Sequence, residues 1–379
     1  MDLSRRELLT ASALALAPSD RKSRGLLRAH RALASGTSDA KALSGGPIVL
    51  SWNENPYGPS PAARAAITEA ITSACRYPDD DIEALVETLA KKEGFPSDHI
   101  VTGTGSGELL CALGFIHGHD GGEIIAAEPT YLELADYARH AGAHMRFIRV
   151  DKQLRHDLTA MRAAVSDRTR AIYLCNPNNP TGTALPAAAI RSFVESLPEK
   201  VTTIVDEAYM DFVDGAGLGS VVDLVGKGKR VVILRTFSKI HGMAGVRVGY
   251  GIARPDIASE LAETRMSSAN IFAMRAARAS LADHAFLTDT RRRILASRVR
   301  ITTELERLGL TYADPQGNFV FFDTGMPLSR FSQSMRERNI LVGRHFPPFD
   351  TWCRITIGTE PEVAAFLDAL RAVTPGRHA

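Results

Sequence analysis

An α/β protein, with a mostly parallel sheet covered by helices in a large domain and a smaller α+β domain toward the C-terminus, is the fold predicted for this 379-residue chain. Three observations predict it. Short β-branched runs alternate with helical stretches through the middle of the chain, as in βαβ units. Several of those runs end in polar residues, as do strands whose carboxyl ends face a ligand. After about residue 266 the texture changes to long helices followed by two more apolar runs. The length exceeds the roughly 250–300 residues at which one core stops growing, so two lobes are expected.

In chain order, residues 1–45 form a leader and linker. "SRRELLTASALALAPSD" pairs Arg5 and Arg6, follows them with an apolar run from Leu8 to Ala17, and ends that run in Ala15-Leu16-Ala17. The run is too short to span a bilayer and resembles a twin-arginine export signal, which implies a periplasmic protein. A basic tail on a cytoplasmic enzyme would have similar composition. From Pro18 to Gly46 the chain is basic and rich in Ser, Gly and Ala, as in a linker. An N-terminal arm is expected over 46–75, the large domain over 76–265 and the small domain over 266–379. The large-domain strands are read at 123–128, 170–176, 201–207, 230–236 and 248–253, with helices such as 131–142 and 186–197 between them. In the small domain a long Arg-rich helix covers 284–308, and "NFVFFD" and "CRITIG" follow.

Composition narrows the function. Apolar content of 45% and charged content of 23% are those of a soluble globular enzyme. The leader carries eight Lys/Arg against four Asp/Glu and the body 37 against 39, so a nucleic-acid partner is not expected. Stable membrane insertion is not expected either. Cys75, Cys111, Cys175 and Cys353 are scattered without a CxxC, and buried free thiols are expected rather than disulfides or metal ligands.

The chemistry collects at strand ends. "TGTGSGELL" (102–110) puts Ser106 and Gly107 at the entrance of a helix, where backbone N–H groups can meet an anion; a ligand-free helix entry would read the same way. It fails the dinucleotide fingerprint because Glu108 replaces the third glycine, which disfavours a nicotinamide dehydrogenase. "LCNPNNPTGT" presents Asn179 between prolines, a neutral donor to a ligand oxygen. Asp206 in "IVDEAYMDF" ends a buried strand and needs a cation or several donors; Tyr209, a phenol, follows it. "RTFSKIHGMAGVRVGYG" places Lys239 beside Ser238 and eight residues before Arg247, a cation able to depress the lysine pKa and bind phosphate. Gly242, Gly245 and Gly249 admit close backbone approach. One cofactor meets all these needs. Pyridoxal phosphate has an aldehyde for Lys239, a phosphate for the turn, Ser238 and Arg247, a phenolic oxygen for Asn179 and Tyr209, and a pyridine nitrogen for Asp206.

The ordered set GTGSGE, PTY, NPNNPTG, DEAY, SKxxGxAGxRxGY and CRITIG resembles the fold-type I aminotransferases of class I/II, nearest the histidinol-phosphate aminotransferase branch, from about Ile48 to the C-terminus. The resemblance implies Lys239 as Schiff-base residue and proton shuttle, Asp206 on the pyridine nitrogen, and Tyr131 stacked on the ring. It further implies Asn179 and Tyr209 at the phenolic oxygen, and Ser106, Gly107, Ser238 and Arg247 at the phosphate. Tyr57 would cross to a partner's phosphate in a homodimer, Arg354 would anchor the substrate's acidic group, and Arg344 and Asn55 would also contact substrate. The family's usual acid after the serine of the phosphate turn is Gly107 here. An amino donor and a 2-oxo acid acceptor, exchanged by a ping-pong mechanism, are implied. A decarboxylase of the threonine-phosphate type is the alternative on the same chassis; a regulator lacks any attached DNA-binding segment. The export-like leader favours an amino acid or specialised metabolite over histidinol phosphate as donor.

Overall fold

The central strands are buried on both sides because apolar residues occupy both faces of each. In a computed structural model that describes residues 46–374, β1 (Ile48–Leu50) is followed by β2 (Ile100–Gly103), β3 (Glu123–Glu128), β4 (His144–Arg149), β5 (Thr169–Cys175), β6 (Thr202–Asp206), β7 (Val231–Thr236) and β8 (Gly249–Ile252). β9 (Phe319–Asp323), β10 (Ile340–Val342) and β11 (Trp352–Thr356) complete the set among the described residues. The leader expected over 1–45 lies outside them. Residues from Ile48 onward make up one compact unit.

Seven strands form the main sheet in the order β2-β8-β7-β6-β5-β3-β4. The five from β7 to β4 run parallel. β8 runs antiparallel to both β7 and β2. The sheet is thus mostly parallel, as expected. Each strand read from the sequence is present within a residue or so of its expected ends. Alternation across the pleat sends Ile172 and Leu174 of β5 into one apolar cluster and Ala171, Tyr173 and Cys175 into the cluster on the other face. Truncating Leu174 to Ala would cost roughly 2–5 kcal/mol, the usual loss for a fully buried leucine.

The expected helix 131–142 spans Glu133–His140, and 186–197 spans Ala187–Glu195. The Arg-rich helix runs His284–Arg307 and is capped by the Asp283 carboxylate, which accepts from the Phe286 N–H at 3.2 Å. It packs with Leu328–Arg336 and Glu360–Val373 around an antiparallel pair in which Arg354 of β11 lies opposite Phe321 of β9. β1 leaves the N-terminal arm to pair in parallel with β10, Ile48 opposite Ile340. The chain just after β1 therefore lies near both β11 and the carboxyl ends of the main sheet.

All four cysteines are free thiols. Cys111, Cys175 and Cys353 are buried as expected, but Cys75 is exposed, because it falls in the turn that follows the helix Pro61–Ala70 rather than on a packed face. No helix among the described residues is long and apolar enough to cross a membrane. No group of His, Cys, Asp and Glu among them is placed to hold a metal ion.

Candidate active site

A cavity of about 260 Å³ opens at the carboxyl ends of β5, β6 and β7. Asp206, the last residue of β6, is 3% exposed. Its carboxylate accepts the Tyr173 hydroxyl at 3.2 Å and the Ala208 N–H at 3.1 Å. Burial outweighs those two bonds and lifts its pKa to about 6. Neither donor is a cation, so a positively charged group offered to Asp206 from the cavity would relieve the burial of its charge.

Lys239 enters from the loop after β7, where the Ser238 N–H bonds the Thr236 hydroxyl at 3.1 Å and tightens the chain. Its Nζ donates to the Asn53 carbonyl at 3.0 Å and lies 5.3 Å from the centre of the Tyr209 ring. Its pKa falls to about 8, first through burial and then through the charge of Arg354. The sequence singled out Arg247 for that effect; Arg247 contributes, but less than Arg354, a residue more than a hundred positions away in the chain.

Arg247 takes a left-handed backbone (φ 65°) and turns its guanidinium toward the entrance of the helix Gly105–Gly118. It donates to the Ser238 hydroxyl at 3.3 Å and to the Ala244 carbonyl at 2.9 Å. Gly105 (φ 78°) has no room for a side chain, since a Cβ there would run into that guanidinium. A Cβ on Gly249 would run into the Ser106 N–H. Gly242 (φ 68°) packs on the Gly58 carbonyl, whereas Gly245 has open space around it, so close approach explains the first and not the second. The helix entrance, Ser238 and Arg247 thus form a concave donor surface with a fixed positive charge, which suits a phosphate.

The three asparagines of "NPNNP" take different tasks. Asn176 caps the following turn by accepting the Leu185 N–H at 2.8 Å. Asn178, fully buried, accepts the Thr130 hydroxyl at 2.8 Å and donates to the Pro129 carbonyl at 3.1 Å, which ties this loop to the one bearing Tyr131. Asn179 alone faces the cavity, and its Oδ1 accepts Arg354 Nη1 at 2.5 Å. Arg354 is 7% exposed. Its Nη2 donates to the Ser51 carbonyl at 2.7 Å, while its Nε is buried with no partner. Burial lowers its pKa to about 10. Arg344 also lines the cavity, stacked 4.3 Å over the Phe346 ring. Tyr209 lines it too, its hydroxyl accepting from Asn53 Nδ2 at 3.2 Å.

The structure brings Lys239, Asp206, Tyr209, Asn179, Ser106, Gly107, Tyr131, Ser238, Arg247, Arg344 and Arg354 to one cavity. Two sequence-derived residues are not in its lining: Asn55, and Tyr57, which is expected at a partner subunit's site rather than at this one. The amide of Asn55 is engaged inside the chain, donating to the Ile240 carbonyl at 2.8 Å and accepting the Tyr57 N–H at 3.0 Å. Tyr57 is turned into its own chain, with the Arg293 guanidinium 5.2 Å over its ring and its hydroxyl buried without a partner. Conversely, Trp52, Asn53 and Glu133 line the cavity and were not read from the sequence. Asn53 carried one available signal: its φ of 54° is a conformation that asparagine tolerates better than most residues.

The donor set fits pyridoxal phosphate: a lysine amine of lowered pKa, a buried carboxylate without a cation, an anion-binding helix entrance closed to side chains, and an unpartnered arginine nitrogen. The profile of the aminotransferase class I and II family matches residues 46–370. A histidinol-phosphate aminotransferase of Moorella thermoacetica is 38% identical over 331 residues, covering 86% of this chain and 85% of the relative. An aromatic amino acid aminotransferase of Rhodococcus jostii is 37% identical, covering 85% and 89%. The crystal structure of histidinol-phosphate aminotransferase from Sinorhizobium meliloti in complex with pyridoxal-5'-phosphate superposes with a TM-score of 0.81 at 27% identity, covering 90% of this chain and 96% of that one. With a matching profile over most of its length and a site built for the cofactor, this chain belongs to the class I and II aminotransferases and works with pyridoxal phosphate.

Proposed function

We propose that this aminotransferase takes its amino group from an α-amino acid with a planar aromatic or imidazole side chain, and passes it to a 2-oxo acid at Lys239 in a ping-pong cycle. The observation that carries this reading is Arg354. It is a buried guanidinium in the lining of the cavity whose Nη1 and Nη2 each keep a second N–H beyond the bonds to Asn179 and Ser51, and so a ready anchor for a substrate carboxylate. Support for the side chain comes from Trp52, which stands 58% exposed at the cavity, and from the aromatic and histidinol-phosphate donors named for the relatives. Arg344, a second cation at the cavity, favours histidinol phosphate as the rival donor.

When bound, pyridoxal phosphate supplies an aldehyde for amines and a ring that takes up the electron pair left by proton removal. The protein's own groups do the rest. Ser106, Gly107, Ser238 and Arg247 would hold the phosphate, and Asn179 and Tyr209 would serve the phenolic oxygen. Asp206 would keep the pyridine nitrogen protonated, a pairing that would give the buried carboxylate a counter-charge. Arg354 would hold the donor's carboxylate. The Lys239 amine, whose pKa near 8 leaves a fraction of it uncharged at neutral pH where an ordinary lysine would have almost none, would take the proton from the α-carbon and hand it on to the cofactor.

The test is a donor screen on the purified protein, following loss of the bound cofactor's visible band with phenylalanine, tyrosine, histidine, aspartate and histidinol phosphate. Aromatic amino acids or histidine should bleach it. A response to histidinol phosphate alone would overturn the donor assignment, and release of carbon dioxide in place of a keto product would point to decarboxylation.

Two further properties belong to this proposal. A homodimer is supported by apolar side chains left uncovered on the chain, Trp52, Ile71 at 61%, Met266 at 68% and Tyr77 at 89% exposed. Periplasmic residence rests on the leader's twin arginine and apolar run alone, and export after folding would let the cofactor be loaded before crossing.

A further inference from the structure

Glu133 lines the cavity and has no part in the reaction just described. It is the first residue of the helix Glu133–His140, where a carboxylate is favoured by the helix dipole. Among the described residues it forms no salt bridge, and the hydrogen bond it accepts comes from the Tyr131 hydroxyl, at 2.5 Å to Oε2. Its carboxylate also occupies the space beside Gly107. A Cβ on Gly107 would lie 2.7 Å from Oε2 and 2.9 Å from Oε1. Gly107 itself sits within the helix Gly105–Gly118 without positive φ, so its backbone does not demand glycine. The missing side chain makes room for Glu133.

Tyr131 needs such a hold. Its chain is tethered on one side, where Asn178 bonds Pro129 and Thr130. The residue as a whole, however, is 37% exposed, and it lines the cavity. Burial of the rest of the side chain and the nearby Glu133 charge push the phenol far above its ordinary range, so it remains a donor at every working pH. We propose that Glu133, seated in the notch left by Gly107, is a positioning residue that locks the Tyr131 ring over the cofactor ring through the tyrosine hydroxyl. The proposal rests on the reading of Tyr131 as the stacking residue.

The test is the dissociation constant of pyridoxamine phosphate for the full chain freed of cofactor, since that form binds without a covalent link and reports the ring and phosphate contacts directly. Glu133→Ala and Tyr131→Phe should each weaken it about tenfold, the loss of one hydrogen bond to a charged acceptor. Glu133→Gln, which still accepts the bond, should stay within about threefold of wild type. Gly107→Ala has a helix-compatible backbone and meets only the flexible end of Glu133, so it should fold normally yet displace the carboxylate and reproduce Glu133→Ala. Combining Gly107→Ala with Glu133→Ala should cost no more than either alone. Wild-type affinity in Glu133→Ala, or additive losses in the double variant, would overturn the lock. Tyr131→Ala separates the two readings: unchanged affinity there removes the stacking role itself, whereas a loss there beside a silent Glu133→Ala removes only the lock.

Discussion

Replacing Asp206 by asparagine should make the cofactor-free protein more stable at neutral pH, although it weakens the enzyme. The folded carboxyl titrates at about 6, against 3.8 for an exposed one, and burial is the largest cause. Because the folded pKa is raised, the ionised form is the penalised one. The penalty is absent below about pH 4, grows between the two pKa values and is complete above about pH 7. A shift of about two units corresponds to about 3 kcal/mol. Asparagine is never ionised but accepts only one of the two bonds from Tyr173 and Ala208, a loss of about 1 kcal/mol. The net gain is about 2 kcal/mol at pH 7.5, turning to a small deficit near pH 4. Urea unfolding of the cofactor-free proteins at both pH values and one protein concentration measures it. With saturating cofactor the order should reverse, because wild type gains more from binding. An Asp206→Asn protein no more stable than wild type at pH 7.5, or an advantage that persists unchanged at pH 4, would refute the reasoning.

Lys239→Ala should abolish turnover and the visible band of covalently held cofactor, and any variant keeping normal transamination would remove Lys239 from its role. The rate at which cofactor loads onto the cofactor-free protein should rise about tenfold from pH 7 to pH 9, as the Lys239 amine loses its proton around pH 8. In Arg354→Ala the midpoint of that rise should move upward, since the strongest charge depressing the lysine is gone; an unmoved midpoint would assign the depression to burial alone. Arg354→Lys should raise KM for carboxylate donors by about tenfold or more with a smaller change in kcat, because an ammonium cannot reproduce the bidentate fork. A reporter fused to residues 1–46 should reach the periplasm of a host with twin-arginine export, and its retention in the cytosol would withdraw the export proposal.

What the sequence reveals of this protein follows the range of the interactions concerned. The buried strands β3, β5, β6 and β7 are legible because apolar residues on both faces leave an unbroken run, and Asp206 and Thr236, the polar residues that end β6 and β7, line the cavity. β2 and β4 are not. β2 has four residues and ends in a glycine, and β4 alternates exposed and half-buried positions at the sheet edge. Pairing direction is also non-local, so nothing within "VGYGIA" announces that β8 runs antiparallel to both neighbours. At the site, Lys239, Asp206 and Asn179 stand out through their immediate context. The choice between Asn53 and Asn55 does not, since both lie in "NENP" and it is distant partners, Tyr209 for one amide and the Ile240 carbonyl for the other, that decide which lines the cavity. The surroundings of Tyr57 within its own chain show the same limit, for they are set by Arg293 on a helix more than two hundred residues on. The acid missing at Gly107 was readable; that Glu133 fills the space was not.

The segment after β1 sets a boundary on how this chain can be trimmed. Ser51 offers its carbonyl to Arg354, Asn53 offers its own to Lys239, and Asn53 is held in turn by Thr356 and by the buried amide of Asn318. Two of the site's cations are therefore anchored by the main chain of a stretch that begins only a few residues beyond the leader. A processing cut, an affinity tag or a truncated expression variant that frees the chain up to about residue 47 leaves those carbonyls in place. One that reaches past Asn53 removes both anchors while sparing Lys239 and Arg354 themselves.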